Sequence, residues 1–131
     1  MGNLITKSAI ENIKLINFDY LYNNLNNNII LINTLPESEQ DCLIINTLSI
    51  KDEIQEINNL LCKDKNKEII IYGKNCSDNS VFKKYLQLNN LGFKNIKIYN
   101  GGLFEWLLLQ EIYGNDKFIT TENIVDILKF K

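Results

Sequence analysis

The sequence predicts an α/β domain with a mostly parallel sheet of about five strands and helices on both faces. Short apolar runs alternate along the chain with segments of helical periodicity, which is the pattern of this fold class. Residues 29–32 and 69–72 are apolar without alternation, as expected of strands buried on both faces. The 131 residues, 45% of them hydrophobic, suit one domain with a sizeable core. We expect that domain to span residues 13–131, after an N-terminal segment of residues 1–12.

In the first half of the domain the pattern predicts a helix, a strand, a loop, a short strand and a second helix. These elements are assigned in that order to residues 18–25, 29–32, 35–40, 43–45 and 51–62. Ser49 is placed to cap the second helix, because a serine hydroxyl accepts hydrogen bonds from the free amides of a first helical turn. Asp52 and Glu53 suit the positive end of the same helix.

In the second half the pattern predicts a strand, a helix, a strand, an apolar helix and a last helix. These elements are assigned to residues 69–72, 81–91, 96–99, 103–110 and 122–130. Gly92 is expected to end the helix before it, since glycine readily adopts the left-handed conformation found there. The pair Gly101-Gly102 is predicted as a tight turn, and Thr121 as the cap of the last helix.

The composition excludes several classes of function. The chain has no histidine and no arginine, so it can form neither a histidine-based catalytic or metal site nor a guanidinium clamp on an anion. Its formal charge of -2 gives no basic field for nucleic acid. The three cysteines are far apart and form no paired motif, which favours reduced thiols in the cytoplasm and indicates neither a metal site nor a cofactor.

The loop after the 69–72 strand is the candidate functional site. Ligands of α/β proteins bind beyond the carboxyl ends of the strands, and Cys76 lies in this loop. A cysteine before a helix N-terminus and near a lysine, here Lys74, can become a reactive nucleophile. The small and polar residues of the loop offer backbone donors for a small anion. They are Gly73, Lys74, Asn75, Ser77, Asp78, Asn79 and Ser80.

The stretch from residue 91 to residue 106 reads LGFKNIKIYNGGLFEW and resembles the late core of rhodanese-homology domains. The matching positions are Gly92, Phe93, Asn95, Gly101, Gly102 and Trp106. The resemblance is weaker over residues 29–61 and absent from the first dozen residues. It implies a single rhodanese-like domain, in which a loop cysteine carries a persulfide from a sulfur donor to an acceptor.

Three positions depart from that family pattern. Gly73 stands where the family has its cysteine, and Cys76 follows three residues later. Asp78 occupies a position where the family often has an arginine, and its carboxylate would repel an anionic substrate. Asn33 and Leu35 replace an Asp-x-Arg pair. The departures favour a catalytically inactive protein-binding, scaffold or regulatory module. The alternatives are a sulfurtransferase or other thiol enzyme using Cys76, and a small structural subunit of a larger assembly.

Two further features bear on partners and location. The start MGNLIT fits the N-myristoylation pattern with Gly2 as the acylated residue, and one such chain gives only weak peripheral membrane attachment. Residues 103–110, from Leu103 to Gln110, are apolar on every side of the predicted helix. Such a helix is either buried in the core or covers an unknown protein partner.

Overall fold

Residues 13–131 are described by a computed structural model and form a parallel sheet between two layers of helices. The strands are β1 (Lys14–Ile16), β2 (Ile30–Asn33), β3 (Ile69–Tyr72) and β4 (Ile96–Tyr99). The helices are α1 (Phe18–Asn24), α2 (Ile50–Lys63), α3 (Ser80–Asn90) and α4 (Gly102–Tyr113). Two 3-10 turns cover Glu37–Glu39 and Ile127–Phe130. The sheet order is β1-β4-β3-β2, and every neighbouring pair is parallel.

The core lies on both faces of the sheet. Every residue of β2, β3 and β4 is buried, which explains the apolar runs without alternation at residues 29–32 and 69–72. The interior of β4 contains one charged residue, Lys97. Successive side chains of β3 point to opposite faces. Ile70 and Tyr72 pack with the layer that contains α1 and α4, whereas Ile69 and Ile71 pack with α2 and α3. The predicted α/β class with helices on both faces is confirmed.

The local signals at two helix ends are also confirmed. The Ser49 hydroxyl accepts a hydrogen bond from the backbone N–H of Asp52 at 3.2 Å, so it caps α2 as predicted. Gly92 follows α3 with a φ of +100°, a conformation that side chains with a Cβ rarely adopt. These two residues fix where the helices on that face of the sheet begin and end.

The prediction of about five strands is wrong for the part of the chain that the structure describes. The strand assigned to residues 43–45 does not join the sheet, and β1 (Lys14–Ile16), which does, was not predicted. Residues 43–45 pair outside the sheet: the N–H of Ile45 donates to the carbonyl of Ile119, and the N–H of Thr121 donates to the carbonyl of Leu43. Only an isolated parallel bridge between Leu31 and Thr47 touches the free edge of β2. The described sheet therefore has four strands.

The predicted last helix over residues 122–130 is also wrong, because only the 3-10 turn Ile127–Phe130 forms there. Thr121 does not cap it, since its hydroxyl accepts from the N–H of Leu43 at 3.0 Å. The Gly2 prediction lies outside the described residues. Within residues 13–131, no helix combines the length and the apolar character needed to cross a bilayer.

Because the strands are parallel, the loops that follow β2, β3 and β4 all lie along one edge of the sheet, the edge formed by the carboxyl ends of the strands. The loop that contains Cys76 lies there, beside the segment after Asn33 and the start of α4. This edge is where α/β folds place their ligand sites.

Candidate functional site

The loop between β3 and α3 is held against the start of α4 by backbone contacts. Leu103 and Phe104 donate from their N–H groups to the carbonyls of Gly73 and Lys74, both at 2.9 Å. Gly102 has a φ of +70°, and a Cβ on it would lie 2.8 Å from the Gly73 oxygen. Only glycine at position 102 permits this approach, which gives the Gly-Gly pair its structural role.

The carboxylate of Asp78 occupies the inside of the loop. Its Oδ2 accepts from the backbone N–H of Lys74 at 2.9 Å. Its Oδ1 accepts from the N–H of Ser80 at 3.0 Å and from the Ser80 hydroxyl at 2.6 Å. Burial would raise the pKa of this carboxyl, but these hydrogen bonds outweigh burial and hold the pKa below its ordinary value. The backbone amides of Lys74 and Ser80 are thus hydrogen-bonded to a side chain of the same loop.

Gly73 leaves the space that the Asp78 carboxylate fills. A Cβ on residue 73 would lie 2.6 Å from Oδ2 of Asp78 and 3.0 Å from a methyl group of Val81. The first distance is too short for any side chain unless the carboxylate moves. A cysteine at the end of β3 and an aspartate at position 78 in its present place are therefore incompatible.

Cys76 lies on the exposed part of the loop and does not line the cleft beside Asp78. Asn75, the residue before Cys76, holds the turn in place through both polar atoms of its side-chain amide. The Asn75 Oδ1 accepts from the N–H of Ser77 at 2.9 Å, and its Nδ2 donates to the carbonyl of Phe130 at 3.0 Å. Cys76 is therefore exposed to solvent, whereas the Asp78 carboxylate lies within the loop.

Lys74, the residue predicted to activate Cys76, has a different partner. Its Nζ forms an ion pair with Oε1 of Glu39 at 2.9 Å. Glu39 belongs to the 3-10 turn after β2 and was not among the predicted site residues. This pair compensates the one positive charge of the loop.

An open cleft of about 410 Å³ lies beside the loop. Its walls come from the segment after β2 and from the loop itself, and they comprise Thr34, Pro36, Lys74, Asn75, Ser77, Asp78 and Ser80. Of the predicted loop residues, Gly73 is buried beneath this cleft and Asn79 is exposed at the start of α3. Neither of these two lines the cleft.

A family model described as the rhodanese-like domain matches residues 17–109, more than half of the chain. The chain belongs to the rhodanese-like domain family. The sequence resemblance carried by Gly92, Gly101, Gly102 and Trp106 is thereby confirmed. No curated protein sequence matches the chain.

Solved structures share the rhodanese-like fold at low sequence identity. The Alr3790 protein from Anabaena sp. has a TM-score of 0.60 at 20% identity, over 85% of this chain and 94% of that one. The BH2092 protein from Bacillus halodurans has 0.61 at 20%, over 79% and 77%. The single-domain sulfurtransferase RDL2 of Saccharomyces cerevisiae has 0.57 at 18%, over 77% and 94%. At these identities the likeness establishes the fold alone.

In this rhodanese-like domain, the residues that sequence reasoning missed are those that complete the environment of Asp78. The Thr34 hydroxyl lies 2.6 Å from the Ser80 hydroxyl, and Glu39 pairs with Lys74. One local signal was available. Asp78 and Ser80 have the two-residue spacing of an Asx turn, in which a carboxylate accepts from the N–H two residues later.

The apolar helix α4 of the domain belongs largely to the core. Leu103, Trp106 and Leu107 are fully buried, and Gln110 is buried with its amide nitrogen donating to the carbonyl of Phe118 at 2.8 Å. Leu108 is 37% exposed. In the segment from Leu103 to Gln110, the apolar surface left for a partner is that of Leu108 and of the partly buried Phe104 and Leu109, and binding of a partner there stays a prediction.

A second charged group lies among α1, β3 and β4, away from the loop. The Lys97 ammonium donates to Oε2 of Glu68 at 2.7 Å and to the Tyr20 hydroxyl at 3.0 Å, and Tyr20 also donates to Glu68. Burial would lower the pKa of Lys97, but the hydrogen bonds and charge of Glu68 outweigh it and raise that pKa. All three side chains are satisfied within the domain, as expected of a structural group.

Proposed function

We propose that this rhodanese-like domain does not transfer sulfur and serves as a protein-binding, scaffold or regulatory module. The proposal rests on one observation: within the loop, the Asp78 carboxylate accepts hydrogen bonds from the backbone amides of Lys74 and Ser80. A loop that stabilises a thiolate or a persulfide needs such amides free and convergent. Here the amides of Lys74 and Ser80 already donate to the Asp78 carboxylate, so they are not free to bind an external anion.

Charge and position argue in the same direction. An anionic donor such as thiosulfate would meet the Asp78 carboxylate, and the Lys74 charge that could offset it is paired with Glu39. Cys76, the one thiol of the loop, is exposed outside the cleft. Nucleophile and anion site are therefore separated, whereas covalent catalysis needs them together.

A thiosulfate:cyanide assay tests the proposal on the purified chain beside its Cys76→Ser variant, with an active sulfurtransferase as positive control. We expect both proteins to give only the background rate of thiocyanate formation. Thiocyanate formation by the unmodified chain that disappears in Cys76→Ser would establish the alternative, a thiol enzyme. Activity that persists in Cys76→Ser would place the chemistry on another residue and would equally reject an inactive module.

We also propose that Gly2 is myristoylated and holds the domain at the cytoplasmic face of a membrane. The support is the MGNLIT pattern alone. The intact mass of the chain, co-expressed with an N-myristoyltransferase, tests this beside a Gly2→Ala variant. An unchanged mass under conditions that acylate a control protein would reject it.

A further inference from the structure

The groups around the cleft beside Asp78 carry a net negative charge. Lys74 and Asp78 are the charged residues of its walls, and Lys74 is already paired with Glu39, which lies outside the walls, so the three groups contribute one positive and two negative charges. The carboxylate also retains hydrogen-bonding capacity. Within residues 13–131, its Oδ2 accepts one hydrogen bond, from the N–H of Lys74, and a carboxylate oxygen can accept two. The cleft therefore attracts a donor that carries a positive charge.

A second, more apolar cleft of about 530 Å³ adjoins the first, and the two share Thr34 and Ser80. Its walls include Ile50 and Ile54 of α2, which are 39% and 59% exposed. Its walls also include two acidic and two basic residues, Glu37, Glu53, Lys83 and Lys84, whose formal charges cancel, and Glu53 and Lys84 form an ion pair of 2.7 Å. The second cleft thus offers apolar contact next to the acidic position in the first.

We propose that the two clefts together bind an extended segment of a partner protein, whose Lys or Arg side chain enters the first cleft and pairs with Asp78. An apolar side chain two residues away on the same segment covers Ile50 and Ile54, because residues i and i+2 of an extended chain share a side. A free amine would leave that apolar surface exposed, which favours a protein partner. This inference rests on the proposed role as a binding module and names the chemistry of its partner.

A titration of the ¹⁵N-labelled chain with blocked pentapeptides tests the proposal by NMR. The probe Ac-Ala-Arg-Ala-Leu-Ala-amide should shift the amide signals of Lys74 and Ser80. Replacing its Arg by Glu should abolish the shifts, and replacing its Leu by Ser should weaken binding. Asp78→Asn should weaken binding of the probe by roughly tenfold, since a charge-assisted hydrogen bond is lost.

Two surface variants keep the test independent of any rearrangement of the loop in Asp78→Asn. Glu39→Gln leaves the Lys74 charge without its partner and should weaken binding of the Arg probe. Ile54→Ala should remove the contribution that the Leu side chain of the probe makes to binding. Asp116→Asn, an exposed position outside both clefts, is the matched control. Added salt should weaken binding of the Arg probe.

Equal shifts from the Arg and Glu peptides, or no shift at Lys74 and Ser80, would overturn the inference. Equal affinity for the peptide and for free arginine amide would reject the protein partner. Neither result affects the proposal of an inactive domain, which the thiocyanate assay measures separately.

Discussion

The carboxylate of Asp78 lies 2.6 Å from the point that a Cβ on Gly73 would occupy, so these two residues are mutually dependent. The glycine provides the space, and the aspartate fills it and takes the hydrogen bonds of the loop amides. The relationship can be measured as a coupling energy.

We expect Gly73→Cys to lower the free energy of unfolding by about 1–3 kcal/mol, because the new side chain overlaps the Asp78 carboxylate. In an Asp78→Gly background, which removes the carboxylate, the same change should cost at least about 1 kcal/mol less. Urea denaturation of the four proteins of the cycle measures the difference. Changes in the free energy of unfolding that simply add would show that the two positions are independent. Cys76→Ser, a change at an exposed position of the same loop, is the control.

Stability should depend on pH through Asp78. Its folded-state pKa lies below the ordinary value of 3.8, so its ionised form stabilises the fold above about pH 4. This stabilisation is lost as the pH falls from that value through the lower folded pKa. We therefore expect the stability difference between the natural chain and Asp78→Asn to shrink over this range. A difference that stays constant from neutral pH to acid would contradict the hydrogen-bonding role of the carboxylate.

The three thiols should separate into two classes of reactivity. Cys62 and Cys76 are exposed, whereas Cys42 is buried with its Sγ donating to the carbonyl of Glu122, and burial raises its pKa. A maleimide should modify the two exposed cysteines at comparable rates and Cys42 only on unfolding. Mass spectrometry with Cys62→Ser as reference tests this. A rate for Cys76 far above that of Cys62 would favour the thiol-enzyme alternative.

The group of Tyr20, Glu68 and Lys97 should contribute to stability as a unit. Lys97→Met leaves the partly buried Glu68 carboxylate without its cation and should lower the free energy of unfolding by about 2 kcal/mol. Adding Glu68→Gln removes that uncompensated charge and should recover part of the loss. Thermal unfolding of the single and double variants measures both effects. A double variant that loses the sum of the two single losses would argue against coupling.

The fold was largely predictable from local sequence signals. The apolar runs that form β2 and β3 are buried on both faces, and burial of this kind leaves a clear pattern in the sequence. The error at residues 43–45 has a physical cause: their partners are residues 119–121, which lie far along the chain. Periodicity carries no information about such a distant pairing, and an isolated bridge resembles a strand in sequence.

The location of the site in the loop of residues 73–80 stays a prediction, and the internal arrangement of this loop was not predictable from the sequence. The sequence predicted that the Asp78 charge would repel an anionic substrate, but it did not predict that the carboxylate accepts hydrogen bonds from the amides of Lys74 and Ser80. That orientation depends on the space above Gly73 and on a hydroxyl from Thr34, a residue of another loop. Side-chain direction in a loop is set by such three-dimensional neighbours rather than by sequence spacing.

The hydrogen bond from Asn75 to the carbonyl of Phe130 has a consequence for synthesis of the protein on the ribosome. Phe130 is almost fully buried, so its docking completes the layer of α1 and α4. While a chain emerges, the sheet can assemble once β4 is out, but this bond must wait for residue 130. The turn at Asn75 should therefore complete its hydrogen bonding only after residue 130 has emerged, and until then this turn should be more accessible to proteases and chaperones.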